Sequence, residues 1–178
     1  MMKLPHAITV CCCLTLAAFA QNAALDGRGR VVHDDLLDKL AGSWKLTGTI
    51  AKQRAEHSVE AEWLLDHQFL RVHEKAMGAP STASQPYEAM VFIGYDNASD
   101  RYVAHWLDIF GGRTSETLGY GTRNGDALEF VFEYPDGPFR TVFRWMPESR
   151  GWQWTMRQKD QAGQWTTFGE MTLAPATR

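Results

Sequence analysis

The stretch "YDNASDRYVAHWLDIFGG", residues 95–112, decides how the rest of the chain is read. Asp96 to Asp100 read as a turn, since Asp96, Asn97, Ser99 and Asp100 can each bond the nearby backbone through the side chain. Behind them Tyr102, Ala104, Trp106 and Asp108 alternate with Val103, His105, Leu107 and Ile109. Alternation at a period of two predicts a strand, and apolar residues on both sides predict little solvent on either face. A carboxylate two positions after a tryptophan on such a strand needs a reason.

Working outward, the same rhythm recurs from Ser43 to Leu173. Ten runs of period two are expected, at 43–50, 57–65, 69–76, 87–95, 101–109, 114–122, 127–134, 139–146, 151–159 and 164–173. Between them stand "DNASD", "RNGD", "PDGP", "PESRG" and "DQAG", all turn chemistry. Asn124-Gly125 predicts a type I′ hairpin turn rather than a phosphate cradle. The segment "GAPSTASQP" reads as the one loose loop. Before the first strand, "HDDLLDKLAG" predicts a short helix. Its acids Asp34 and Asp35 fall in the first turn, Leu36, Leu37 and Leu40 share a face, and Gly42 stops it.

Strands joined in sequence by short turns are antiparallel neighbours. Ten in an open sheet would leave two edges, and closure removes them. The expected fold is therefore all-β, a ten-stranded antiparallel up-and-down barrel with a short N-terminal helix. A two-sheet sandwich is the alternative, although it needs longer crossings than most of these turns allow.

Composition agrees with a β core. The chain of 178 residues has seven tryptophans and nine phenylalanines, concentrated between Phe130 and Trp154. Its 18 basic and 21 acidic residues give a formal net charge of −3, with no basic stripe. Nucleic acid and anionic membrane are poor partners for such a surface.

The first 20 residues, "MMKLPHAITVCCCLTLAAFA", follow the signal-peptide pattern. Lys3 supplies the basic start, an apolar run follows, and Ala18-Phe19-Ala20 ends it in small-x-small form. Cleavage near Ala20 would make the protein secreted or periplasmic. The apolar run is shorter than the ~20 residues a membrane helix needs. Residues 21–31 read as a flexible lead and 32–178 as a single domain. All three cysteines, Cys11, Cys12 and Cys13, lie in the leading segment. The expected mature chain thus holds no disulfide, thiol nucleophile or thiolate metal ligand.

Interior and exterior alternate along barrel strands. Three apolar faces are expected inside: Trp44, Leu46 and Ile50; Phe139, Phe143 and Trp145 with Thr141; and Trp152, Trp154 and Met156 with Gln158. A barrel of this size either fills with its own side chains or holds one small ligand. If Trp106 and Asp108 face inward, a buried carboxylate needs partners. Arg71 and His73, alternating with Phe69, and Glu116 on the sixth run are the candidates. The expected ligand site is then Arg71, His73, Trp106, Asp108 and Glu116 at a polar end, with Phe143, Trp145 and Trp154 along an apolar lumen. The plainer alternative has Asp108 in a structural salt bridge, or capping the turn of "FGGR".

The helix followed by Gly42-Ser43-Trp44 resembles the Gly-x-Trp opening of the calycin superfamily, the lipocalins and fatty-acid-binding proteins. That resemblance implies that Trp44 packs across a closed barrel end, with Arg157 as a candidate cationic partner. A second resemblance covers nearly the whole domain. Gly42–Trp44, "WLLDHQFL" and "GYDNASDRYVAHWLD" are similar to a bacterial domain-of-unknown-function family of calycin-like barrels. It implies a fold and carries no catalytic residues to transfer.

These readings converge on a barrel binding a small, mainly apolar or amphipathic molecule. Alternatives are a barrel enzyme using a buried carboxylate and histidine, or a filled structural barrel. No cofactor is expected. His67 and His73 are too loosely spaced to predict zinc. Haem is a minor alternative through His73 or His105, since related barrels include haem binders. Their ligating histidine comes late in the chain, and no histidine follows His105 here. The Gly-x-Ser-x-Gly elbow and the dinucleotide fingerprint are both missing.

Overall fold

A computed structural model describes residues 34–78 and 85–176. The expected signal segment and flexible lead lie outside the described residues.

The chain opens with α1, Asp35–Leu40, whose start is fixed by its cap. Asp34 has extended backbone, and its Oδ1 accepts from the N–H groups of Leu36 and Leu37 at 2.8 and 3.0 Å. Those are two of the donors a helix start leaves unpaired. Leu36, Leu37 and Leu40 are all fully buried, as their shared face requires.

Ten strands follow: β1 Gly42–Ile50, β2 Gln53–Leu64, β3 Phe69–Ala76, β4 Glu88–Asp96 and β5 Arg101–Asp108. A four-residue helical turn, α2 Gly112–Ser115, precedes β6 Leu118–Asn124. Then come β7 Ala127–Tyr134, β8 Gly137–Met146, β9 Gly151–Lys159 and β10 Trp165–Pro175. Each strand pairs antiparallel with its neighbours in sequence, and β1 pairs with β10 to close the barrel. The sheet therefore has no free edge.

Three local departures from the sequence expectation have physical causes. β2 begins at Gln53, four residues before the expected run, because 53–56 continue its pairing with β1. β6 begins only at Leu118, because the Gly111-Gly112 pair lets the chain coil into α2 first. The β6–β7 hairpin loop is Gly125-Asp126, one position later than expected. Asn124 is still paired with Ala127, and Gly125 takes the positive φ of 58° that the first loop position demands.

Inward-facing residues form two zones. Toward α1 the lumen is filled. Trp44, Leu46, Phe130, Phe143, Trp152, Trp154 and Leu173 are all buried there. Phe143 and Trp154 rings pack with centroids 4.6 Å apart. Trp154 Nε1 donates to Thr141 Oγ1 at 2.7 Å, so the indole is buried with its polar atom satisfied. β6 makes room by presenting only the glycines Gly119 and Gly121 to this part of the lumen. A Cβ on Gly119 would meet the Phe132 ring at 2.5 Å, and one on Gly121 would meet Phe130 at the same distance. The two rings lie directly on the β6 backbone.

Helix α1 plugs this end and is tied on by side chains from around the rim. Trp44 Nε1 donates to Leu40 O at 2.7 Å, and Trp152 Nε1 to Lys39 O at 3.4 Å. Those carbonyls belong to the helix end that lacks intrahelical donors. Tyr102 donates its hydroxyl to Asp34, and Arg123 Nη1 reaches Asp35 at 2.6 Å and Asp34 at 3.3 Å. Trp44 thus sits at the closed end as expected, but Arg157 is not near it. Arg157 is exposed on the outward face of β9, because inward positions on that strand are Trp152, Trp154 and Met156. At the closed end Arg123 pairs with the helix acids, and Lys39 of the helix lies over the Trp145 ring.

Candidate functional site

The opposite end of the barrel is open and holds a cavity of about 630 Å³. Phe132, Phe139, Met156 and Phe168 form much of its apolar wall, with Tyr87, Trp106 and Tyr134 adding rings that carry a polar atom. A bulge in β10 between Thr167 and Gly169 turns Phe168 toward Phe139, with centroids 5.4 Å apart. Trp106 marks the boundary between zones, since it lines the cavity and packs 5.7 Å from Trp154 of the filled zone.

One polar cluster is set deep in this wall. On β2, Ala55, His57, Val59 and Ala61 are buried while Arg54, Glu56, Ser58 and Glu60 face outward. On β3 the buried set is Leu70, Val72 and Glu74. The register pairs Val59 with Glu74, which brings the imidazole of His57 beside that carboxylate. His57 Nδ1 and Glu74 Oε1 lie 2.5 Å apart. Glu74 is only 1% exposed, and its second oxygen, Oε2, has no hydrogen-bond partner. His57 Nε2 makes no hydrogen bond among the described residues.

Tyr87 lies over the imidazole with ring centroids 5.8 Å apart. Trp106 Nε1 donates to its oxygen at 3.3 Å, leaving the phenolic hydrogen free to point elsewhere. Burial, with the charge of Glu74 adding to it, pushes the Tyr87 phenol well above its ordinary range. Tyr134 is pushed up to about 12 by burial and then by Asp108. Both phenols therefore stay protonated and can donate in the neutral range.

Of the eight residues expected to form a ligand site, Trp106 and Asp108 line the cavity. Asp108 answers the question its strand raised. Its Oδ1 accepts from Phe110 N at 2.9 Å, and its carbonyl from Gly111 N at 3.1 Å, so it caps the turn leaving β5 at the cavity mouth. The polar cluster expected around it is not assembled. Arg71 and His73 face outward, because the apolar face of β3 is that of Leu70 and Val72 rather than that of Phe69. Arg71 pairs there with Glu62 at 2.5 Å, and His73 with Glu88 at 2.6 Å. The hydrogen bond from His73 holds the Glu88 carboxyl below its ordinary range. Glu116 follows α2 and is exposed, not on a strand. Phe143, Trp145 and Trp154 face inward but pack the filled zone beneath the cavity.

His105, the other haem candidate, faces outward and its Nε2 is 2.8 Å from Ser115 O. Neither His73 nor His105 lines the cavity, so the lumen residues do not fit a haem held through them. Among the described residues no group of three or more His, Cys, Asp or Glu is placed to hold a metal ion. No described helix is long and apolar enough to cross a membrane.

The residues that sequence reasoning missed are His57, Glu74 and Tyr87. A signal for His57 existed: small or apolar residues alternate with polar and acidic ones through 54–62, and His57 falls in the apolar set.

Compared with known proteins, residues 32–174 match the family described as "Protein of unknown function (DUF1579)". The match covers most of the chain, which belongs to that family. No curated protein matches it significantly.

Proposed function

We propose that this DUF1579 member binds one small, mainly apolar molecule in the open half of its barrel. The observation that carries this reading is the cavity itself. Its volume of about 630 Å³ lies within the ~300–1,000 Å³ typical of small-molecule sites, and its walls are aromatic with few polar atoms. The closed ten-stranded barrel, the plugging helix and the Trp44 position support kinship with the calycins.

The test is native mass spectrometry of the purified protein, followed by titration with 1-anilinonaphthalene-8-sulfonate. Co-purified mass, or saturable dye fluorescence with energy transfer from tryptophan, is expected. Substituting Ala55→Phe, which fills the cavity wall, abolishes the signal. Dye binding that survives the substitution unchanged places the dye elsewhere and removes the reading.

A second reading rests on the His57–Glu74 pair. A histidine oriented through Nδ1 by a carboxylate, with Nε2 free in a cavity, is the arrangement of a general base. Turnover of a bound molecule that is lost in His57→Gln while binding persists would move the protein from carrier to enzyme.

We further propose export. The pattern of residues 1–20 supports it, and N-terminal sequencing of the protein from the extracytoplasmic fraction is expected to start near Gln21.

A further inference from the structure

We propose that two copies of this chain associate through the outer wall of β3–β7, on a two-fold axis that runs along β5. The inference concerns the outside of the barrel and is independent of what the lumen binds.

The argument starts from an asymmetry of the outer wall. On β10, β1 and β2 the outward side chains are polar, among them Lys45, Thr47, Glu56, Ser58, Glu170 and Thr172. On the opposite wall they are largely apolar. Seven large apolar side chains are exposed among the described residues, and Phe69, Ile109, Leu118 and Tyr120, on or beside β3, β5 and β6, are four of them. Met90, Phe92, Val103, Leu107 and Val131 lie between these, partly exposed and outside the core cluster. Four strands ~4.8 Å apart and three outward positions ~6.8 Å apart outline roughly 400 Å². Contiguous apolar patches of that extent mark interaction surfaces. Residues 79–84 hold no large apolar side chain, and 21–33 only Leu25, Val31 and Val32, too few to cover it.

The strand register says which partner fits. Cross-strand pairing sets Arg71, Phe92, His105 and Leu118 side by side across β3–β6. Glu133 completes the row, since it follows Phe132, the partner of Gly119. The row thus runs from a cation through apolar side chains to an acid. Rotation by 180° about β5 reverses it. Arg71 then faces the second copy's Glu133, and Phe92 faces its Leu118. His105 lies on the axis, with Nε2 already on Ser115 O. The next row, Phe69, Gly94, Val103, Tyr120 and Val131, likewise sets Phe69 against Val131 and Val103 against itself. Glu133 has no cationic partner of its own among the described residues. Arg71 bonds Glu62 through Nη2 and keeps further guanidinium donors. An axis across the strands would instead set Arg71 against Arg71 and Glu133 against Glu133, which like charges oppose. Complementarity to itself under a two-fold rotation is what an isologous dimer requires.

With the charged edges added, each copy covers about 600 Å², so the pair lies near the ~1,200 Å² lower bound of stable interfaces. The dimer is therefore reversible. Because the axis follows the strands, both cavities open toward the same end of it.

Sedimentation velocity of the purified protein from about 1 to 300 µM reads the equilibrium, and half-dimerisation is expected between about 1 and 100 µM. Leu118→Glu puts an acid in the patch without touching the core, and is expected to weaken dimerisation at least about tenfold. Thr172→Glu, on the polar wall, should leave it unchanged. Glu133→Gln is expected to weaken the dimer about two- to fivefold, the scale of an exposed ion pair. A dimer left unchanged or tightened by Glu133→Gln overturns the axis. A dimer that survives Leu118→Glu, or a wild-type protein still monomeric at about 300 µM, overturns the proposal. The wild-type measurement needs no variant, so a variant that fails to fold does not shelter the proposal.

Discussion

The two halves of the barrel are built from the same ten strands and treat their interior in opposite ways. Near α1, rings from β1, β7, β8 and β9 fill the lumen and every buried indole nitrogen has an acceptor. Further along the strands the lumen opens, and a buried carboxylate is left half satisfied. The first half has the packing of a core, and the second keeps a polar group at a cost to stability. That division separates what holds the fold from what is available for binding.

The comparison can be broken hardest at the filled end. Trp152→Ala removes a fully buried indole and is expected to cost about 3–5 kcal/mol in denaturant unfolding. Phe168→Ala, at the partly exposed rim of the open end, should cost no more than about 1–2 kcal/mol. Equal losses would mean that the two halves are packed alike.

Next in size is the buried pair. His57→Ala alone leaves Glu74 uncompensated and should cost about 3 kcal/mol. The double replacement His57→Leu/Glu74→Leu is expected to match or exceed wild-type stability, since apolar residues often replace buried ion pairs without loss. A double variant as unstable as the single one would show that the pair supports the fold rather than the cavity.

The helix plug ranks third. Asp34→Ala removes the cap and the acceptor of Tyr102, an expected loss of about 2 kcal/mol measured by thermal or chemical unfolding.

Alkaline titration sharpens the contrast further. Tyr102 in the filled half is raised by burial and by its bond to Asp34, and Tyr87 and Tyr134 in the open half by burial and nearby carboxylates. A phenol raised in the folded state stabilises fully below its unfolded value of about 10. That contribution fades as pH climbs through the folded value, about 12 for Tyr134. Stability should therefore fall between about pH 10 and 12, and less steeply in Tyr134→Phe. Filling the cavity with a ligand should shift tyrosinate absorbance for the open-half phenols alone.

The smallest effect is at the surface of the plug. Arg123 hydrogen-bonds Asp35 and holds that carboxyl below its ordinary range. Its contribution is present above the unfolded carboxyl range and is lost as pH falls through the folded value. Arg123→Gln should remove that part of the acid dependence and make the acid unfolding curve shallower.

The fold was legible because a single signal, period two broken by turn residues, repeats along the chain and each repeat supports the next. The apolar faces of β1, β8 and β9 were readable from tryptophans that have only one place to go. The site was less legible, for a specific reason in β3. Phe69 is the largest residue at the start of that strand, yet it faces outward over Gly94, and Leu70 and Val72 define the inner face. Choosing Phe69 as the inward marker shifts the strand by one residue. That exchanges Glu74 for His73 and Arg71. Asp108 was placed on the correct face, and its capping of the next turn was among the readings the sequence allowed.

One pairing differs from the other nine: Trp44 meets Pro175, at nearly opposite ends of the domain sequence, whereas every other neighbour is a hairpin away. That seam is the long-range step of assembly, and it carries the greatest loop-closure cost. Until it zips, neither lumen has a complete wall. The open cavity and the aromatic packing beneath it are therefore born in one event. A lesion among the deep tryptophans, far from the cavity, would leave fewer molecules with a finished vessel, and a ligand of the kind proposed would then bind with weaker apparent affinity.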